Sequence, residues 1–135
     1  MGDAQKRLGE LLGTVGFGRS LPSRLVEAKD GRALARLEVT EAVQNIGGTL
    51  HGGAIATLVD DVGTCAIVTA DRENRPGVTT DLNVSYFSPA PGGSFVLAEA
   101  NVLKIGKTLA FVTVDVKREK DGALVAQGRM TKFQG

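Results

Sequence analysis

Residues 54–70, AIATLVDDVGTCAIVTA, limit what this chain can fold into more than any other stretch. They carry no proline and are long enough for roughly four to five helical turns. Their main apolar stripe, Ile55, Leu58, Val59, Val62, Ala66 and Thr69, falls three or four residues apart as a helix requires. The opposite side is also small or apolar, so the spacing predicts a helix buried on several faces. Two carboxylates, Asp60 and Asp61, lie inside the run, and the chain's single histidine, His51, stands just before it in a His51-Gly52-Gly53 triplet. Asp60 shares a helical line with Ala56, Gly63 and Ile67, a side so poor in volume that a ligand or another backbone can come close. A carboxylate there is partly desolvated, the usual condition for a general base. The plainer alternative is an aspartate pointing to water.

The flanking sequence reads as strands. Residues 23–28 and 32–40 form two strands joined at the tight turn Lys29-Asp30-Gly31, and Ala35, Leu37 and Val39 alternate with Arg36, Glu38 and Thr40. After the helix, residues 71–76 make a polar loop. Residues 77–88 then alternate, with Val78, Thr80, Leu82, Val84 and Tyr86 on one face and Thr79, Asp81, Asn83 and Ser85 on the other. Residues 94–104 and 107–118 form a hairpin about Ile105-Gly106, and Asp121-Gly122 turns the chain into a last strand over 123–132. Two strands, one buried helix and a run of antiparallel strands define an α+β domain whose sheet packs against the helix.

A chain of 135 residues without linker or repeat makes one domain, residues 1–135, opening with a short amphipathic helix over 3–12 and a loop to residue 22. Sixteen basic against fifteen acidic residues leave a net charge of +1, which points away from nucleic acid and anionic membrane surfaces. One cysteine, Cys65, rules out an internal disulfide and any cysteine-based zinc site. No stretch is read as a membrane span, and the opening segment has neither the apolar core of a signal peptide nor the acid-poor composition of a presequence. The expected setting is the cytoplasm, with the mitochondrial matrix the alternative. No phosphate loop and no G-x-S-x-G motif occurs.

Several blocks in order resemble a known family: Asn45, then Gly48-Thr49-Leu50-His51-Gly52-Gly53; Thr57-Leu58-Val59-Asp60; Pro76-Gly77-Val78-Thr79; Tyr86-Phe87-Ser88-Pro89-Ala90; Gly106-Lys107-Thr108-Leu109-Ala110-Phe111; and Gln127-Gly128-Arg129. The chain is similar to the hotdog-fold acyl-CoA thioesterases of the PaaI-like type, which include the small mammalian thioesterase superfamily members. The resemblance implies a curved antiparallel sheet wrapped around one long central helix, residues 52–70, and cleavage of acyl-CoA to free acid and CoA. It also implies a homodimer, or a dimer of dimers, with each site at the interface. Asn45, His51 and Gly52 then come from one protomer, and Asp60 and Thr79 from the other.

In that reading Asp60 is the general base or the nucleophile, and the Gly52 N–H polarises the thioester carbonyl. Thr79 orients the attacking water with Asp60, and Asn45 and His51 position water and substrate. The resemblance places CoA along Lys104, Ile105, Gly106, Lys107, Thr108 and Leu109, with Asp81, Tyr86, Arg129 and Lys132 as further candidates. It implies no cofactor beyond the CoA of the substrate, and since neither His51 nor the aspartates form a metal-ligand constellation, no metal is expected. A thioester's leaving thiolate has a pKa of roughly 8.5, so one base and one preformed donor suffice without a catalytic triad. Two other classes stay open: a hotdog hydratase or dehydratase using Asp60 and His51, and an acyl-CoA binding module without turnover. Asp61, beside the expected base, departs from the pattern and is expected to be dispensable.

Overall fold

A computed structural model describes residues 16–135; the expected helix over 3–12 lies outside the described residues. The loop before residue 22 holds a 3-10 turn, Gly16–Ser20. Strands β1 (Ser23–Lys29) and β2 (Arg32–Glu38) form the first hairpin, and a short 3-10 turn, Glu41–Val43, leads through a tight loop into helix α1 (Gly52–Ala70). Strands β3 (Val78–Tyr86), β4 (Phe95–Ile105), β5 (Leu109–Arg118) and β6 (Leu124–Phe133) follow. All pair antiparallel into one six-stranded sheet ordered β1-β2-β4-β5-β6-β3. The last strand therefore inserts between β5 and β3 and leaves β3 as a nine-residue free edge among the described residues.

Helix α1 packs against every strand, because the sheet curls around it. Five of the six residues of the expected stripe, Ile55, Leu58, Val59, Val62 and Ala66, are buried, and Cys65, Ile67 and Val68 bury the flanks. Fully enclosed side chains such as Leu58 and Ile67 each contribute about 1.5–3 kcal/mol by leaving water. Burial also pushes the Cys65 thiol up to about 12, so it behaves as a small hydrophobe. By length and composition alone α1 does reach the size of a membrane span: its 19 residues include an 18-residue window with a mean hydropathy of 1.4. Here that composition serves a helix enclosed by sheet on several sides, which needs apolar residues for the same reason a membrane span does.

The Asp60 line also differs from expectation. Gly63 and Ile67 are buried, and the space left by the missing Gly63 side chain is taken by Met130 of β6 and Val112 of β5. The close neighbour on that side is the sheet. A Cβ on Gly128 would stand 2.5 Å from Val59, so β6 also needs glycine to lie this close to the helix.

At its far end α1 stops where Asp71 turns extended (ψ 130°) and donates its N–H to Ile67 O. The Asp71 carboxylate is buried and accepts from the N–H groups of Glu73 and Arg75 and from the Arg75 guanidinium at 3.0–3.1 Å. Arg75 in turn donates to Gln134 O, tying the loop before β3 to the end of β6. Arg75 holds the Asp71 carboxyl well below the usual carboxylate range. Asp71→Ala is expected to lower the unfolding free energy by about 3 kcal/mol, since it takes the acceptor from two guanidinium donors of Arg75 and from two backbone N–H groups. Because the folded value is depressed, this contribution is fully present above the ordinary carboxylate range, begins to fall below it, and is lost as pH falls through the depressed folded value. In urea titrations the gap between wild type and mutant should therefore narrow below pH ~4.

Candidate active site

Two groups of expected residues occupy different levels of α1. The first gathers at its N-terminus. His51 caps the helix: its backbone is extended (φ −64°, ψ 136°) and its Nδ1 accepts from the Gly53 N–H at 2.8 Å. With Nδ1 accepting from the backbone, Nε2 is the ring nitrogen left to donate. Gly52 is the first helical residue, and an N–H at that position has no partner within the helix and sits at the positive end of the dipole. Tyr86 closes one side of it, donating its hydroxyl to Gly52 O at 2.9 Å with its ring 3.5 Å from where a Gly52 Cβ would stand.

Asn45 braces the approach to this cap. Its Oδ1 accepts from the Gly47 and Thr49 N–H groups, and its Nδ2 donates to Thr49 Oγ1 at 2.9 Å. Within one chain the Asn45 side chain thus shapes the loop that delivers His51 and Gly52. An apolar groove of about 350 Å³ opens beside the cap, lined by Phe17, Leu21, Ala42, Val43, His51 and Ala54 among others.

The second group lies at mid-helix. Thr79 Oγ1 donates to Asp60 Oδ1 at 2.9 Å. Simple alternation in residues 77–88 puts Thr79 on the face opposite Leu82, Val84 and Tyr86, and the structure corrects this. A bulge between Thr79 and Asp81 shifts the register, so Thr79 pairs with Lys132 while Leu82 pairs with Met130 and Val84 with Gly128. These partners are alternate residues of β6 on its helix-facing side. Thr80 absorbs the extra residue, and its hydroxyl turns to Thr131 O. Thr79 therefore shares the helix-facing side with Leu82 and Val84.

Asp61, the neighbouring acid, is half-buried. Burial first, and the charge of Asp60 second, push its carboxyl up to about 6, against a downward pull from Lys132. Lys132 does not stand on the surface as a CoA contact would. It is 5% exposed, and its Nζ donates to Thr64 Oγ1 at 2.8 Å.

The residues expected along CoA fall into three places. Ile105, Gly106 and Lys107 line a pocket of about 290 Å³ with Asp71, Arg72 and Arg75, below the C-terminal end of α1. Lys104, Thr108 and Leu109 are exposed on the same hairpin. Asp81 lies elsewhere, in a polar groove with Asn83, Gln127 and Arg129. Tyr86 is at the opposite end of the sheet, since β3 pairs Val78 with Phe133, and Phe133 with Leu109, while Tyr86 meets Ala126. Arg72 escaped sequence reading because a cation just past a helix end looks like an ordinary solvated charge. Among the described residues no three or more His, Cys, Asp and Glu side chains gather as a metal site needs.

Gly52 and Asp60 are eight residues apart on one helix, a rise of about 12 Å. A single thioester cannot meet both within one chain. What the single chain offers is a donor at one level and a hydroxyl-bound carboxylate at another.

Residues 47–125 match the model of the thioesterase superfamily. The human protein acyl-coenzyme A thioesterase 13 is 47% identical over 111 residues, 82% of this chain and 79% of its own. The crystal structure of zebrafish thioesterase superfamily member 2 superposes with a TM-score of 0.91 at 42% identity, covering 96% of this chain and 95% of the other. A Streptococcus mutans protein, smu.793, whose crystal structure holds acetyl CoA, shares the fold with a TM-score of 0.76 at 24% identity over 82% of this chain and 86% of its own. With one long helix held in a curved six-stranded sheet and the cap and mid-helix carboxylate in place, the chain belongs to the thioesterase superfamily and is a hotdog-fold thioester hydrolase.

Proposed function

We propose that the protein hydrolyses acyl-CoA to free acid and CoA at sites completed by a second copy of itself, with Asp60 and Thr79 facing the partner's Gly52. The observation that carries this is that Gly52 and Asp60 stand eight residues apart, a rise of about 12 Å along α1, with the Asp60 carboxylate held at mid-helix by Thr79. Strand β3 supplies the means of joining them. It is an open edge whose Val78, Leu82 and Tyr86 are exposed, and Phe87 follows directly. A long apolar edge is a template for pairing. A twofold antiparallel pairing about its middle brings the Thr79 end of one strand beside the Tyr86 end of the other, and Tyr86 sits on Gly52. The same operation carries each hairpin around Gly106 towards the partner's helix cap.

In the assembled site the Gly52 N–H receives the thioester oxygen, whose negative charge grows as water adds to the carbonyl carbon. Asp60 takes the proton from that water while Thr79 holds the carboxylate in place. The tetrahedral adduct collapses with cleavage of the C–S bond, and the CoA thiolate leaves and takes up a proton. His51, the residue before Gly52, keeps its Nε2 free of the cap bond and so can position the substrate's thioester end. Arg72 and Lys107 offer cations to the CoA phosphates, and the groove from His51 to Phe17 offers apolar wall to an acyl chain.

The test is thiol release from short-, medium- and long-chain and aryl-CoA esters, read with a disulfide dye. Turnover of at least one of these ester classes is the expected result. A folded oligomer that binds CoA and releases thiol from none of them would favour the hydratase or binding-module alternatives.

A further inference from the structure

Lys132 has no part in the mechanism so far, yet it is a charged side chain enclosed beside the carboxylates. It is the cross-strand neighbour of Thr79, so β6 and β3 present an ammonium and a hydroxyl side by side to the same stretch of α1. Thr79 reaches Asp60 Oδ1, and Lys132 reaches Thr64 Oγ1, one turn further along. Thr64 then donates its own hydroxyl to the Asp60 backbone carbonyl at 2.8 Å, so the ammonium is fixed at the Thr64 level of α1, one helical turn past the Asp60 position. On β5 its cross-strand neighbour is Ala110, which is neutral, as is Thr79 on β3. The titratable groups acting on it among the described residues are Asp60, Asp61 and Cys65, all from α1.

We infer that Lys132 is a positioning residue of the hydrolytic site, the counter-charge that lets two adjacent half-buried carboxylates, Asp60 and Asp61, coexist on α1 with Asp60 kept as the base. This rests on the reading of Asp60 as the proton acceptor. An enclosed lysine without compensation is unfavourable, and burial does lower the Lys132 ammonium while both aspartates pull it back up. The attraction is mutual: the Lys132 charge opposes the burial and the repulsion that push Asp61 up. Asp61 is then the acid whose cost Lys132 offsets, and it makes no contact the chemistry requires.

The experiment is the pH dependence of kcat/KM for thiol release in four variants with oligomeric state checked. Lys132→Gln keeps a donor for Thr64 and removes the charge. Its acid limb is expected to move to higher pH by about one unit, with the plateau rate within a few-fold of wild type. Lys132→Arg, which restores the charge, should return the limb to its wild-type position. Asp61→Asn should retain turnover and move the limb to lower pH. Where Lys132→Gln does not assemble, Lys132→Met, which fills the same enclosed space without the charge, is read in its place. A wild-type limb in an assembled Lys132→Gln, with Asp60→Asn inactive, overturns the counter-charge and leaves the base. Wild-type turnover in Asp60→Asn removes the base itself, so the two failures are told apart.

Discussion

Asp60→Asn is expected to reduce kcat/KM for acyl-CoA hydrolysis by about a hundredfold or more while leaving fold and assembly intact. The substitution is nearly isosteric, and the amide oxygen can still accept from Thr79 Oγ1, so the 2.9 Å contact that locks the side chain survives. What is lost is the capacity to accept a proton from water. Nothing else at this level of α1 replaces it: Asp61 points along a different line of the helix, and the His51 Nδ1 is engaged with the Gly53 N–H. Thiol release by mutant and wild type on the same ester, with thermal unfolding and oligomeric state measured alongside, decides the matter. Retained turnover in a folded mutant would assign the proton transfer elsewhere.

The parts of this molecule that local periodicity governs were legible in the sequence. The apolar spacing from Ile55 to Ala66 specified a helix buried on several faces, and the structure encloses it so. The turns at Asp30-Gly31, Ile105-Gly106 and Asp121-Gly122 announced the hairpins. The position of Thr79 was reachable only through the family resemblance. A one-residue bulge at Thr80 is fixed by the register of β6, which no pattern within β3 records. Lys132 misled for a related reason. Near the end of a chain a lysine reads as solvated, and only the curl of the sheet over Thr64 turns it inward. Gly63 announced a close approach without saying whose, and Met130 from β6 fills it. Where the cause lay in a neighbouring strand, sequence order could not supply it.

Gly52→Pro should be as informative as the loss of the base, because it deletes one N–H and little else. Proline is well tolerated as the first residue of a helix, where its fixed φ suits the turn and the missing N–H has no intrahelical partner. The residue before a proline must be extended, and His51 already is, at φ −64° and ψ 136°. The nearest atom to a new Cβ is in the Tyr86 ring at 3.5 Å, an ordinary contact. The helix should therefore persist while kcat falls by about 10²–10³-fold, the effect of removing one oxyanion donor. Mixing then tests the two-chain site. If Asp60 works opposite the partner's Gly52, a co-assembled pair of one Asp60→Asn chain and one Gly52→Pro chain has one site with both lesions and one with neither. Random assembly of equal amounts should recover about a quarter of wild-type activity from two nearly inactive proteins. No recovery, with mixed oligomers demonstrated, would place both groups in the same chain, and the rise between them along α1 would then need another explanation.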